Sequence, residues 1–400
     1  MGAAKADQPY LMAFVEDKND YNIVQDVIKS LNIANYEIIK GGIKEAIDIF
    51  KLQRSPQYLI VDVSKSDLPA TDVTRLFEVC EPGMLMLAVG IRNDVPLYRD
   101  LIKLGVHEYV IKPLFSEILV RTLKNMLFGE EKGKESQIKK GKIISVIGSR
   151  GGVGNTFLAT NLATILSHEK SRRVAAVDLD LHYGALALYF DKTAAYGLRE
   201  ILEDPERIDQ VFLERVLTPV NTRLFILGSE EPLEERIQPK VEGVNTLLDY
   251  LSQQFHYVVV DLPHHMNTLT KTVIESSSVI ILVCDPSVGS LRDTGRIMSL
   301  VGLEGSVRRI ITVLNKVGAY ATGEISPSDF EETLKHKISH VIPFDNVLPM
   351  ACINKGEFIE EKENSLGIVL RDIVDDILGI QKSEEPESGL DRFFKKIKLR

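Results

Sequence analysis

No stretch of this 400-residue chain reaches the roughly eighteen apolar residues of a membrane span, and its most apolar run, SVIILVC at 278–284, has the length of a strand. A spanning protein is therefore not expected. The N-terminus, MGAAKADQPY, lacks the apolar core of a signal peptide and carries Ala6 where N-myristoylation needs Ser or Thr. The chain is expected to stay in the cytosol. Cysteine is scarce: Cys80, Cys284 and Cys352 lie far apart with no CxxC spacing, which signals neither a zinc site nor a disulfide framework. They read as core thiols in a reducing compartment. Positive charge is also in deficit, with 48 Lys and Arg against 57 Asp and Glu and a net charge of −9. Such a chain has no global attraction for nucleic acid, and no nucleic-acid partner is expected. Short-period repeats are missing too.

What is present is ordinary globular composition, 44% hydrophobic and 26% charged, which rules out global disorder and is chain enough for two or three domains. The segment GEEKGKESQIKKGK, residues 129–142, holds one strongly apolar residue, Ile138, and reads as an exposed linker. Before it, over residues 8–128, the runs LMAFV, YEII, YLIV, MLMLAV and EYVI alternate with stretches of helical spacing such as NIVQDVIKSL. Five β/α repeats of this kind predict a doubly wound parallel sheet. The alternation restarts with KIISVIG and continues through RVAAV, LFIL, YVVVD, SVIILV and IITVLN, predicting a second, larger α/β domain over 143–380. Continuous β-branched runs suit strands buried on both faces. A second linker, QKSEEPES at 381–388, is acidic and leads into GLDRFFKKIKLR at 389–400.

The strand KIISVIG runs into SRGGVGNT and then the helical pattern FLATNLATIL, the strand–turn–helix context of a phosphate loop. Gly151, Gly152 and Gly154 let backbone N–H groups curl around phosphate oxygens, and the helix N-terminus adds partial positive charge. Thr156 is placed to ligate magnesium. A bare glycine-rich turn can be a tight turn and nothing more; the flanks favour phosphate binding.

At these residues the chain resembles the MinD/ParA group of P-loop ATPases, whose loop reads KGGxGKT. The resemblance implies nucleotide binding, with ATP and Mg2+ as cofactors, by Arg150, Gly151, Gly152, Val153, Gly154, Asn155, Thr156 and Phe157. Two positions depart from the group. The lysine that reaches the β/γ-phosphates is Asn155, and the signature lysine that reaches the partner subunit's phosphates is Arg150. A neutral hydrogen bond nets about 0.5–1.5 kcal/mol and a charge-assisted one about 1.5–3 kcal/mol, so binding should weaken without vanishing. Hydrolysis depends on stabilising transition-state charge, and weak or absent turnover is expected. In AVDLDLHYG the resemblance implies magnesium-shell Asp178 and a catalytic Asp180 that positions water; YVVVDLP supplies Asp261 on magnesium, and LNK supplies Asn315 as the base contact. Acids ending a strand can also merely sit in solvent. His264 and His265 are neighbours on an extended loop and point apart, which speaks against a metal pair. The nitrogenase iron protein shares this loop type, yet none of the three cysteines fits its cluster.

CDPSVGSLRDTGRIMSLV (284–301) and VIPFDNVLPMACINKGEFI (341–359) resemble, more narrowly, the CpaE/TadZ proteins that place and assemble Flp-type (type IVb) pili. That branch commonly lacks the loop lysine and carries an N-terminal receiver-like (flavodoxin-like) domain. The resemblance implies a homodimer working with pilus or secretion components. It also implies a receiver acidic site of Glu16, Asp17, Asp62 and Lys112, although MLMLAV ends in Gly90 where a receiver has a hydroxyl. A degenerate docking or dimerisation module and a phosphorylated receiver both remain open. In the tail, Leu390, Phe393, Phe394 and Ile397 share one helix face, and Lys395 and Lys396 belong to five cations set against Asp391. An amphipathic basic helix of this kind suits the inner-membrane lipid surface; a tail packed on its own domain or on a partner is the alternative. The fold class read is thus two doubly wound parallel-sheet α/β domains and a tail helix. The functional reading is a cytoplasmic pilus-localisation factor, peripheral at the inner membrane. A cycling positioning or partitioning ATPase and a phospho-signalling response regulator are the alternatives.

Overall fold

The computed structural model describes residues 9–128, 140–207, 209–302, 308–356, 358–359 and 364–380. The chain divides into two compact units, the first built from the residues up to Gly141 together with Gln253–His256, and the second from the rest of the chain from Lys142 onward.

In the first unit, strands β1 (Leu11–Val15), β2 (Tyr36–Lys40), β3 (Tyr58–Asp62), β4 (Leu85–Gly90) and β5 (Glu108–Ile111) form a sheet of order β2-β1-β3-β4-β5. Every pairing is parallel. The period of two in a strand sorts β1 cleanly: Leu11, Ala13 and Val15 enter one apolar cluster with Val24, Leu119 and Leu123. Met12 and Phe14 enter the other, with Phe50, Val73, Leu76 and Leu101. Helices therefore cover both faces, as a doubly wound sheet requires. The ends of β1, β3 and β5 bring Glu16, Asp62 and Lys112 to the same edge.

The second unit is an eight-stranded sheet made of β6 (Lys142–Gly148), β7 (Val174–Asp178), β8 (Thr218–Pro219), β9 (Leu224–Leu227), β10 (Tyr257–Asp261), β11 (Val279–Cys284), β12 (Arg309–Val317) and β13 (His340–Pro343). Their order is β13-β12-β11-β6-β10-β7-β9-β8. All neighbours are parallel except β8, which pairs antiparallel with β9 at the edge. That edge strand departs from the uniformly parallel sheet expected of the sequence, and β13 adds a strand the apolar runs do not announce. The central strand β6 lies between β11 and β10, so the chain leaves its C-terminal end at a crevice between strands wound in opposite directions, where α/β sheets bind ligands. The helix that follows, Asn155–His168, buries Leu158, Ala159, Leu162, Ala163, Ile165 and Leu166 and packs within the main core.

Candidate functional site

The turn from β6 into helix Asn155–His168 takes left-handed backbone at Gly152 (φ 78°) and Gly154 (φ 107°), conformations that exclude most side chains. A cleft of about 420 Å3 opens against this turn, lined by Arg150, Gly151, Gly152, Gly154, Asn155, Thr156 and Phe157. Val153 is instead fully buried in the core and contributes its backbone.

Three carboxylates face the turn. Asp261 and Asp178 end the adjacent strands β10 and β7 as register partners, and both are buried. The Thr156 hydroxyl donates to Asp261 Oδ2 at 2.6 Å, while Asp261 Oδ1 is buried without a hydrogen-bond partner. Burial, and then the neighbouring Asp178, push the Asp261 carboxyl well above the usual carboxylate range. Burial is likewise the main reason Asp178 is raised to about 6, against hydrogen bonds that its Oδ1 and Oδ2 accept from the backbone N–H groups of Asp180 and Leu186, both at 3.0 Å. Asp180 lines the cleft, and its Oδ1 accepts from Tyr183 N–H at 3.1 Å.

The donor set fits a hard divalent cation. The Thr156 hydroxyl and the Asp261 carboxylate are oxygen donors, and an orphaned buried carboxylate oxygen beside a threonine hydroxyl is an arrangement that a cation would satisfy. Thr156 and Asp261 would hold magnesium, with Asp178 beside them. Among the described residues no three His, Cys, Asp or Glu side chains converge on a metal position, so phosphate oxygens and water would complete the shell.

Asn155 turns away from the cradle. Its Nδ2 donates weakly to Leu262 O at 3.4 Å, and its amide lies so close to Gly148 that a Cβ there would meet Oδ1 at 2.5 Å. That Oδ1 is buried without a partner. Asn315 fastens the loop from the other side: its Nδ2 donates to Val153 O at 2.7 Å, and its Oδ1 accepts from Lys316 N–H. The expected base contact thus spends much of its amide on the protein backbone.

Sequence reasoning missed Lys316. Its Nζ donates to Gly152 O at 2.6 Å, its own backbone is left-handed (φ 61°), and the β12–β13 pairing is irregular between Leu314 and Val317. The bulge aims two consecutive side chains at the loop; the adjacency of Asn and Lys was the signal in the sequence. Asp285, missed as well, holds Arg150 through Nη2 at 2.6 Å and Nε at 3.2 Å. The rings of His264 and His265 stand perpendicular with centroids 5.8 Å apart.

In the first unit Lys112 Nζ contacts Asp62 at 2.5 Å and Asp20 at 2.8 Å. Lys65 takes Glu16 at 2.7 Å, and the Asp17 side chain caps the helix Lys18–Ser30 by accepting from Asn19 N–H. Asp62 also accepts from the N–H groups of Glu16 and Ser64. Asp20 and Lys65 were not singled out in the sequence. At Gly90 an added Cβ would meet the Tyr109 hydroxyl at 2.5 Å, so the phenol fills the space beside the missing hydroxyl residue. The tail residues Leu390, Phe393, Phe394, Lys395, Lys396 and Ile397 lie outside the described residues, as do the linker 381–388 and most of 129–142. No helix among the described residues is long and apolar enough to cross a membrane.

Comparison with known proteins agrees with this geometry. A family model described as an AAA domain matches residues 141–304. The septum site-determining protein MinD of Bacillus subtilis (strain 168) is 24% identical over 260 residues, covering 62% of this chain and 95% of that protein. Two solved structures share the fold. A ParA family ATPase from Chlorobium tepidum TLS has a TM-score of 0.54 at 24% identity, covering 59% of this chain and 98% of its own. MinD from Pyrococcus horikoshii OT3, solved with Mg-ADP, has a TM-score of 0.52 at 24% identity, covering 61% and 100%. The pilus assembly protein CpaE from Caulobacter crescentus CB15 is similar over 29% of this chain at a TM-score of 0.28, too low to bear on function. The second unit has the fold of these MinD and ParA structures.

Proposed function

We propose that the chain is an ATP-binding localisation and assembly factor for a Flp-type pilus, with weak or absent hydrolysis. One observation carries the nucleotide part: the Thr156–Asp261 pair, with an orphaned carboxylate oxygen, stands at the mouth of a glycine-rich turn whose backbone is already set. ATP would lie along that turn with Mg2+ on Thr156 and Asp261. Asp180, which lines the cleft, would orient the attacking water, yet the loop's phosphate-facing cation is replaced by an amide that points elsewhere, which argues for binding over turnover. In this reading the nucleotide stabilises a homodimer, and two basic tails (389–400) together bind the inner-membrane lipid surface more tightly than one. The first unit acts as a receiver-like docking module. Its Asp62 is neutralised internally by Lys112, and Asp17 is committed to a helix cap, which favours docking over phosphorylation. The pilus assignment itself rests on the segments 284–301 and 341–359.

Calorimetry of Mg-ATP binding to the wild type and to Gly154→Val tests the site. A Cβ at Gly154 would meet Asn315 Nδ2 at 2.5 Å in left-handed backbone, so the variant should lose binding. Wild-type protein with no affinity for Mg-ATP would overturn the reading.

A further inference from the structure

We infer that Asp285 is a latch on Arg150, and that nucleotide phosphates must displace it to recruit the arginine; this rests on the nucleotide-binding reading above. The cleft is poor in positive charge for a phosphate site. Asp178, Asp180, Asp261 and Asp345 line it, and its lining includes Arg150 and Lys316 as fixed cations. Lys316 Nζ already donates to Gly152 O. Arg150 sits at the loop's start with its side chain about half exposed, and its Nη2 and Nε both donate to Asp285 Oδ2.

Asp285 is itself held in place. Its Oδ1 accepts from the Ser287 hydroxyl at 2.5 Å, and its N–H donates to Ser290 Oγ at 2.9 Å. Ser290 Oγ lies 2.6 Å from Ser149 Oγ, so the turn between β11 and the helix Val288–Gly302 grips the loop at two successive residues. The serine pair is buried and uncharged, whereas the Arg150 end of the Arg150–Asp285 pair lines the cleft and is about half exposed. Only the second can exchange partners when an anion arrives. Phosphate oxygens offer a guanidinium the same two-point geometry as a carboxylate, with more charge. Exchange would leave the Asp285 carboxylate held by Ser287 alone and loosen the start of the helix Val288–Gly302. Nucleotide arrival and the state of that turn are thereby coupled through one side chain.

The test is Mg-ATP calorimetry on the full chain for the wild type, Asp285→Asn, Asp285→Glu, Arg150→Ala and the double variant Arg150→Ala/Asp285→Asn. Asparagine keeps the shape and the bond from Ser287 but removes the competing charge. An exposed pair of this kind predicts a gain in affinity of about two- to fivefold for Asp285→Asn, shrinking as ionic strength rises. Asp285→Glu should stay near wild type, and the gain should vanish in the Arg150→Ala background. Wild-type binding with an unchanged or weaker Asp285→Asn, or a gain that survives Arg150→Ala, overturns the latch alone. Absence of Mg-ATP binding in both wild type and Asp285→Asn overturns the nucleotide reading and the latch with it. Thermal melting of each variant without nucleotide separates misfolding from these outcomes, and a folded Asp285→Glu that behaves as wild type supports a role for the charge.

Discussion

Asp261 and Asp178 stand side by side at the ends of neighbouring parallel strands, two buried carboxylates in register beneath one loop. Without a cation they repel, and burial already disfavours their charged forms. Asp261→Asn should therefore stabilise the cation-free protein, on the order of 1 kcal/mol, or about 2–4 °C in melting temperature for a domain of this size. The same variant should lose Mg2+-dependent ATP binding. Melting curves with and without Mg-ATP read both effects, which must have opposite signs.

Asn155→Lys tests whether the missing cation sets the site's strength. The asparagine folds back against Gly148, a space with no room for a lysine's longer stem, so the ammonium must enter the cleft. Replacing a neutral amide by a charged donor adds about 1 kcal/mol or more, a gain of roughly five- to tenfold in Mg-ATP affinity by calorimetry. An affinity unchanged within twofold, by an order-of-magnitude standard, would count against this account.

Lys112 holds the first unit's acidic edge together, and its removal should carry a pH signature. Burial alone would raise the Asp62 carboxyl, yet hydrogen bonds from Lys112 and Ser64 hold it below its ordinary value of 3.8. Burial opposes the charge on Lys112 as well, and Asp20 and Asp62 together still raise it above 10.5. The pair's contribution from Asp62 is present above the unfolded carboxyl pKa of about 3.9 and fades as pH falls through the lower folded value. Its contribution from Lys112 is present below the unfolded amine pKa of about 10.4 and fades as pH rises through the higher folded value. Lys112→Met should cost about 3 kcal/mol near neutrality, because Asp62 is left buried beside Asp20. The deficit should narrow below about pH 4 as Asp62 takes up a proton. Urea unfolding with hydrogen exchange read at residues 11–62 measures it.

Internal neutralisation also predicts how the first unit meets phosphoryl donors. With Lys112 on Asp62 and Asp20, and Lys65 on Glu16, incubation with acetyl phosphate and Mg2+ should leave Asp62 unmodified by intact-mass measurement. Stoichiometric label that is lost in Asp62→Ala would restore the phospho-signalling reading.

Deleting residues 389–400 tests the tail. Wild-type protein should co-sediment with anionic vesicles more strongly with Mg-ATP than without, and the truncated chain should not sediment in either case. Equal sedimentation of the two chains would remove the tail from the membrane model.

Strands buried on both faces announce themselves: YVVVD and VIILVC are continuous apolar runs, and each is a strand of the larger sheet. Thr218–Pro219 could not be read, because two residues carry no period, and His340–Pro343 opens on a polar residue. The glycine turn, Thr156 and the two buried acids were legible because their spacing from strand ends is local. What the side chains do was less so. Arg150 meets Asp285 across 135 residues, and Asn315 reaches Val153 across 162, relationships that only the order of strands in the sheet creates. Asn155 pointing inward depends on the absence of a side chain at Gly148.

The bulge that turns Asn315 and Lys316 onto the carbonyls of Val153 and Gly152 bears on kinetics as well as geometry. A loop whose carbonyls are tied back leaves its N–H groups free to face the cleft before any ligand arrives, so no ordering step need precede capture. Association should then run at the rate of encounter, nearly the same for variants across the site. Differences in affinity among them should appear as differences in residence time.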